Sequence, residues 1–523
     1  MKKDKKFKIT LVKNYLLILA TIFCGQILSS QTNLVPEKKV QNGFLKVDFL
    51  SIKMPQLEIP NESNMGFSGI HYNLFLNDDF YAGLGIYGAV TGKRGGFFTL
   101  GVNTGYKKFL TEKLFIDTGF HFGGGGGAAA ADGGGAFILP HFNLGYKFDH
   151  FNLNAGYSYV NFFDGGKING SQINVALEIP VNFNYSDYNA IEKEFTTKEL
   201  ENSSWNSPTK KTSLTLHLNN LKATKAKNYP GGIIEGKTIR LAGFEFANYI
   251  SENWFAFLKL DGAYSGIRAG YMDVLLGAGY NLSFNKNRTN ILTKLAIGAG
   301  GGGGVNSNGG FMISPDISIE QKLFGNTYIA LNKGYLFTPN TDFFTTSTYG
   351  FGIKYYVDRN GTQSNVKNFN KGKFKGIQLI VKQDWYIDAE RMTLDTEDMH
   401  QISLQVNFDL SKNLYVAGQT SFANFGNAGA YAEGIVGLGL KTNKLLNNST
   451  TLFTQILAGA AGGGNISTGE GLIIKPSFGI NYQLTNKVSL RSAIGYVKAK
   501  GGELSNPFLN LGLNFDFSFL NMK

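Results

Sequence analysis

The pattern that most constrains this chain is a glycine-rich hairpin written three times. In the first copy Phe122 runs into Gly123–Gly127, and the chain returns through Ala136 to Pro140. In the second, Ala299 precedes Gly300–Gly304, and the return runs from Phe311 to Pro315. In the third, Ala460 precedes Gly462–Gly464, and the return runs from Leu472 to Pro476. The prolines lie 175 and 161 residues apart, so the chain is an internal repeat and its architecture has to be read from that unit.

Each copy contains about eight segments of two-residue alternation. The last segment of the last copy shows it best. Leu509, Leu511, Leu513, Phe515, Phe517 and Phe519 share one face, and Asn510, Gly512, Asn514, Asp516 and Ser518 share the other. The proline-bearing segments repeat this, with Ile313, Pro315, Ile317 and Ile319 opposing Ser314, Asp316, Ser318 and Glu320. Lys333 is the exception, a cation on an outward face. A proline inside a paired strand has no N–H to give, so Pro140, Pro315 and Pro476 predict a bulge or a distorted rim hairpin.

Composition narrows the class. Of 523 residues, 67 are Gly and 14% are aromatic, which excludes collagen and argues against disorder. Mean hydropathy is −0.11 and no apolar run reaches about 18 residues, which excludes membrane-spanning helices but not membrane strands. Lys2, Lys3, Lys5, Lys6, Lys8 and Lys13, the apolar run Leu16–Cys24 and then Ser29 and Ser30 have the form of a secretory signal peptide cleaved near Ser30. Its six lysines and one aspartate take the net charge from +12 to +7. The only cysteine, Cys24, leaves with it, so no disulfide, thiolate metal site or other cofactor is expected in the mature chain.

The expected organisation is a signal peptide (1–30), repeat 1 (31–185), a linker (186–212) with a short helix within Ala190–Asn202, repeat 2 (213–357), a linker (358–375) and repeat 3 (376–523). Strands of this length, polar on one face and apolar on the other, with long and short connections alternating, predict an all-β transmembrane antiparallel barrel. Each copy resembles the small eight-stranded outer-membrane barrels of the OmpA and OmpX type, and the aromatic last strand (Phe515, Phe517, Phe519) resembles the signal read by the outer-membrane assembly machinery. The Ser-Gln-Thr junction resembles those of Bacteroidota exports. The resemblance implies a Gram-negative outer-membrane location, with lipid and lipopolysaccharide as surroundings.

Two architectures fit, three small barrels or one of about 24 strands. Inward Tyr81, Phe255 and Tyr415, with Phe115, Leu292 and Phe453, favour narrow interiors filled by side chains. Lys259, Asp273, Lys294, Asp316, Glu320 and Lys475 form the expected interior polar set. A five-residue turn would place Lys259 opposite Asp273, Gly85 opposite Thr99, and Gln419 opposite Glu433. The glycine runs (Gly123, Gly124, Gly125; Gly300, Gly301, Gly302; Gly462, Gly463, Gly464) read as extracellular rim tips, or as smooth surfaces on which copies pack. They are not phosphate loops, since no Lys-Ser or Lys-Thr and no helix follows. His121 and His141 face inward without a neighbouring nucleophile, and no metal set is identifiable. The resulting expectation is a non-enzymatic membrane scaffold or interaction module, with protein partners at the glycine tips or linkers and none among nucleic acids. A transport pore is the alternative and a lipid-modifying enzyme a remote one.

Overall fold

Alternation with a period of two can bury one face only as a strand, and strands are what the chain forms. The computed structural model describes residues 34–57, 59–227, 233–446 and 449–523, so the expected signal peptide lies outside the described residues. Lys38–Lys523 make one unit.

Its first eight strands are β1 (Lys39–Ile52), β2 (Met65–Phe75), β3 (Phe80–Thr91), β4 (Phe98–Phe109), β5 (Leu114–Gly126), β6 (Phe137–Lys147), β7 (Asn152–Phe162) and β8 (Asn169–Tyr185). They pair antiparallel in order, and β8 returns to β1 to close a ring. A connecting segment follows, with the short strand β9 (Glu194–Thr196) and helix α1 (Thr197–Glu201). Next come β10 (Lys210–Ala226), β11 (Thr238–Tyr249), β12 (Trp254–Ser265), β13 (Met272–Phe284), β14 (Thr289–Gly301), β15 (Phe311–Phe324), β16 (Thr327–Phe337) and β17 (Phe344–Arg359). β17 pairs back onto β10 along nearly its whole length. Last are β18 (Lys371–Ala389), β19 (Glu397–Asp409), β20 (Leu414–Phe425), β21 (Ala432–Lys441), β22 (Thr450–Gly462), β23 (Leu472–Gln483), β24 (Val488–Ala499) and β25 (Ser505–Met522), and β25 pairs back onto β18. The chain is thus an all-β antiparallel barrel protein of 25 strands. Asp358 and Arg359 of β17 also pair with Met522 and Asn521 of β25, which joins the second and third rings into one sheet.

The faces follow the alternation. Ile173, Ile494 and Leu331 point outward and are 68%, 67% and 60% exposed, whereas Asp48, Asp273 and Lys475 point inward and are 3%, 1% and 2% exposed. A water-facing barrel would keep its large apolar side chains inside; this one has an apolar cluster inside each ring and also a wall of large apolar side chains outside.

Two expectations about the strands need correction. Pro140, Pro315 and Pro476 sit in mid-strand in β6, β15 and β23, and the ladder to the next strand skips two residue pairs at each while keeping its register. The missing N–H therefore interrupts hydrogen bonding without a bulge. Across β12 and β13, Lys259 stands opposite Leu275, and Asp273 opposite Asp261. The connection inside the Ala263–Tyr271 backbone bond is residues 264–270, two longer than a five-residue turn. The same shift puts Gly85 opposite Gly101 and Gln419 opposite Ile435.

The connecting segments are packed rather than free. α1 is a single turn capped reciprocally by Thr196 and Glu199, shorter than the charge pattern of Ala190–Asn202 suggests. Glu194 and Thr196 are instead drawn into β9, which pairs with the start of β18. Trp205 is fully buried with its ring against Phe374, and the Tyr188 hydroxyl donates to Asp409 at 2.7 Å beneath the third ring.

Candidate functional site

Any conduit or chemistry in such a fold would sit inside the rings. Strand alternation directs every second side chain there, and charges removed from water must find partners. In the first ring Asp48 accepts from the Tyr87 hydroxyl at 2.8 Å and lies 3.2 Å from His71 Nε2. Asp117 accepts from Tyr81 at 2.8 Å and lies 3.5 Å from His141 Nε2. His121 bonds to Asn103. Each of these histidines therefore has a hydrogen-bonding or ion-pair partner on a neighbouring strand, as an interior network requires.

The second ring gathers most of the residues expected from sequence. Lys294 on β14 lies 3.1 Å from Asp316, its direct neighbour on β15, and 2.8 Å from Glu245 on β11. Glu320 takes Lys354 at 2.7 Å and the Tyr356 hydroxyl at 2.6 Å. Lys259 pairs at 2.8 Å with Asp261 of its own strand, and Asp273 accepts from Tyr271 at 3.3 Å. In the third ring Lys475 bridges Asp384 at 2.8 Å and Glu433 at 2.6 Å, with Lys382 also 3.0 Å from Asp384. The sequence reading left Glu245, Asp261, Lys354 and Asp384 out of the interior set and placed Glu433 opposite Gln419. Their parity on the strand was the available signal, since each shares a face with inward neighbours.

The end of each ring away from the glycine runs is closed by a cation against aromatic rings. Lys107 stands 3.5 Å over the Phe44 ring and 2.7 Å from Glu178. Lys354 lies 5.7 Å over Phe255, and the Arg491 guanidinium lies 3.4 Å over Phe453. Phe44, Phe115, Tyr81, Phe255, Tyr415 and Phe453 are all at most 2% exposed. Aromatic faces carry negative potential, so a desolvated cation is stabilised there while the ring itself fills the mouth.

The glycine runs lie between the rings, not at free tips. Gly123, Gly124 and Gly125 are buried residues of β5; Gly300 and Gly301 end β14, and Gly462 ends β22. β14 lies on β3, β22 on β12 and β5 on β20, so each ring gives its fifth strand to one neighbour and receives another on its third. A Cβ on Gly88 would stand 2.5 Å from that of Ala299, and one on Gly262 2.9 Å from that of Ala460. At the third contact the corresponding residues are Phe422 and Gly124, so the bulk has changed sides. One step higher, a Cβ on Gly301 would reach the Gly96 nitrogen, one on Gly462 the Gly270 nitrogen, and one on Gly126 the Ala430 nitrogen, at 2.7, 2.5 and 2.7 Å. Gly96 and Gly270 hold φ of +95° and +102°, where a side chain would be strained, and Ala430 holds +74°. Below this seam Phe98 and Leu100, Val274 and Ala299, and Phe422 form one apolar cluster drawn from all three rings. The small residues let strand backbones meet directly, so the strand-borne glycines are covered, while Gly302, Gly463 and Gly464 beyond the strand ends are half-buried.

No family model matches the chain, and no curated protein matches it. Among solved structures it is similar to Pseudomonas aeruginosa OpdQ at 8% identity and a TM-score of 0.22, over 92% of this chain and 98% of that one. A mutant of the ferric enterobactin receptor PfeA from the same organism gives 10% identity and a TM-score of 0.28, over 92% and 81%. P. aeruginosa OccK5 (OpdH) gives 9% and 0.22, over 92% and 98%. Superpositions this loose assign the chain no function.

Proposed function

We propose that this chain is a non-enzymatic scaffold of the bacterial outer membrane. In this reading it is three tandem eight-stranded barrels of the OmpA/OmpX kind, exported by a cleaved signal, with the connecting segments in the periplasm. The apolar outward wall supports lipid as its surroundings, since apolar side chains so exposed would otherwise face water. The observation that carries the scaffold reading is that every ring is filled by hydrogen-bonded ion pairs and sealed at one mouth by a cation on aromatic rings. A wide aqueous lumen has no place for such a filling. A transport pore is the competing reading, and planar-bilayer recording of purified protein separates the two. Three filled barrels should give no steady single-channel conductance; nanosiemens steps would establish the pore.

A further inference from the structure

The outer wall of the second ring breaks the rule that the other two keep. On β16 and β17, Lys333 faces Tyr349, and Tyr335 faces Ser347. The same pairs in the first ring are Ala155–Val175 and Tyr157–Ile173, and in the third Ile494–Leu509 and Tyr496–Pro507. On the other side of β17, Tyr349 meets Asn220 and Ser347 meets Lys222, where the other rings place Phe49 and Trp385 opposite Val175 and Leu509. Four apolar positions of the wall are thus taken in the second ring by a lysine, a serine, an asparagine and a tyrosine, with Lys222 beside them.

The groups neighbour one another around Ser347, where Lys333 reaches the serine itself and the Asn220 amide donates to the Tyr349 carbonyl at 3.4 Å. Lys333 Nζ donates to Ser347 Oγ at 2.6 Å and lies 5.5 Å from the Tyr349 ring, so the side chain reaches toward the glycine-run end. Lys222 stands beside Ser347 on the next strand, with its ammonium donating to the Gly236 carbonyl. Among the described residues neither lysine has a carboxylate partner. Lys333 lies four residues below the end of β16, about 10 Å along the barrel axis for a tilted strand. Its ammonium, on Ser347, is carried one outward-facing position nearer that end, level with Tyr335.

We propose that Lys333, Lys222, Ser347 and Asn220 bind the phosphate of an anionic lipid in the leaflet on the glycine-run side. Two ammonium groups supply charge, the serine hydroxyl and asparagine amide supply directed donors, and the flanking apolar wall takes the acyl chains. The proposal rests on the membrane reading above.

The test is native mass spectrometry of the detergent-purified chain titrated with phosphatidylglycerol or phosphatidylcholine. The wild type should retain one phosphatidylglycerol in preference to phosphatidylcholine. Lys333→Leu and Lys222→Leu should each weaken that retention about fivefold, Lys333→Arg should keep it, and Lys286→Leu, at the other end of the ring, should leave it unchanged. Leucine at 333 matches Ile494 of the third ring, so the variant keeps the wall intact. Equal retention of the two lipids, or undiminished retention by Lys333→Leu, overturns the proposal. If the chain stays in membranes while lacking this preference, only the phosphate site fails; if it is soluble without detergent, the membrane reading fails too.

Discussion

The inside of a ring and the contact between two rings are built from opposite materials. Inside, long charged side chains cross the barrel and meet, as Lys475 meets Asp384 and Glu433. At the glycines between rings nearly everything beyond the backbone is removed, as where Gly301 lies on Gly96, and the apolar cluster of Phe98, Leu100, Val274 and Phe422 packs beside them. Both surfaces are buried, and they illustrate two ways of packing. The interior keeps its polar groups and neutralises them pairwise. The seam removes side chains at the glycines until the backbones fit, and hydrogen bonds cross it nearby, from the Ser265 hydroxyl to Glu470 and from the Gly429 N–H to the Gly133 carbonyl.

The interior should be the less forgiving of the two. Lys475→Met leaves Asp384 and Glu433 facing each other with one fewer cation, and we expect a loss of about 3–5 kcal/mol, read as a lowered urea midpoint for refolding into lipid vesicles. A midpoint equal to that of wild type would mean the triad does not hold the third ring. The seam should respond more weakly. Among the described residues Ala460 is the only group within 4 Å of a Cβ on Gly262, so Gly262→Leu tests docking without straining its own ring. We expect a cost of about 1–3 kcal/mol. Cys24 is the one cysteine of the sequence, so in a chain expressed without residues 1–30 Gly262→Cys with Ala460→Cys should crosslink cleanly on oxidation. Failure to crosslink would mean that these two rings do not meet there. The smallest effect belongs to the connecting segment. Lys371, 2.8 Å from Glu194, holds that carboxyl below its usual value. A depressed carboxyl contributes stability above its unfolded pKa of about 4.3 and loses it as pH falls further. Protease cleavage around Glu194 should therefore rise below about pH 4 in wild type and change less with pH in Lys371→Met.

How far the sequence reached differs between these regions for a physical reason. Parity is local, so the inward placement of Asp316, Glu320 and Lys475 was legible from alternation alone. Register depends on loop length, which is why Lys259 met Asp261 instead of Asp273. The prolines were legible as breaks in donation, but not as breaks that spare the register. The glycine runs announced close backbone approach, yet what they approach is remote in sequence, as with Gly126 and Ala430. Lys333 was visible as an outlier on its strand. Its meaning came only from Ser347, Asn220 and Lys222, which the closure of the second ring brings beside it.

The claim beneath all of this is that lipid covers the apolar wall, and fractionation of the expressed chain tests it most directly. The account predicts that the mature polypeptide stays with the membrane pellet through alkaline carbonate washing and enters solution folded only with detergent. A folded monomer in detergent-free buffer would contradict it.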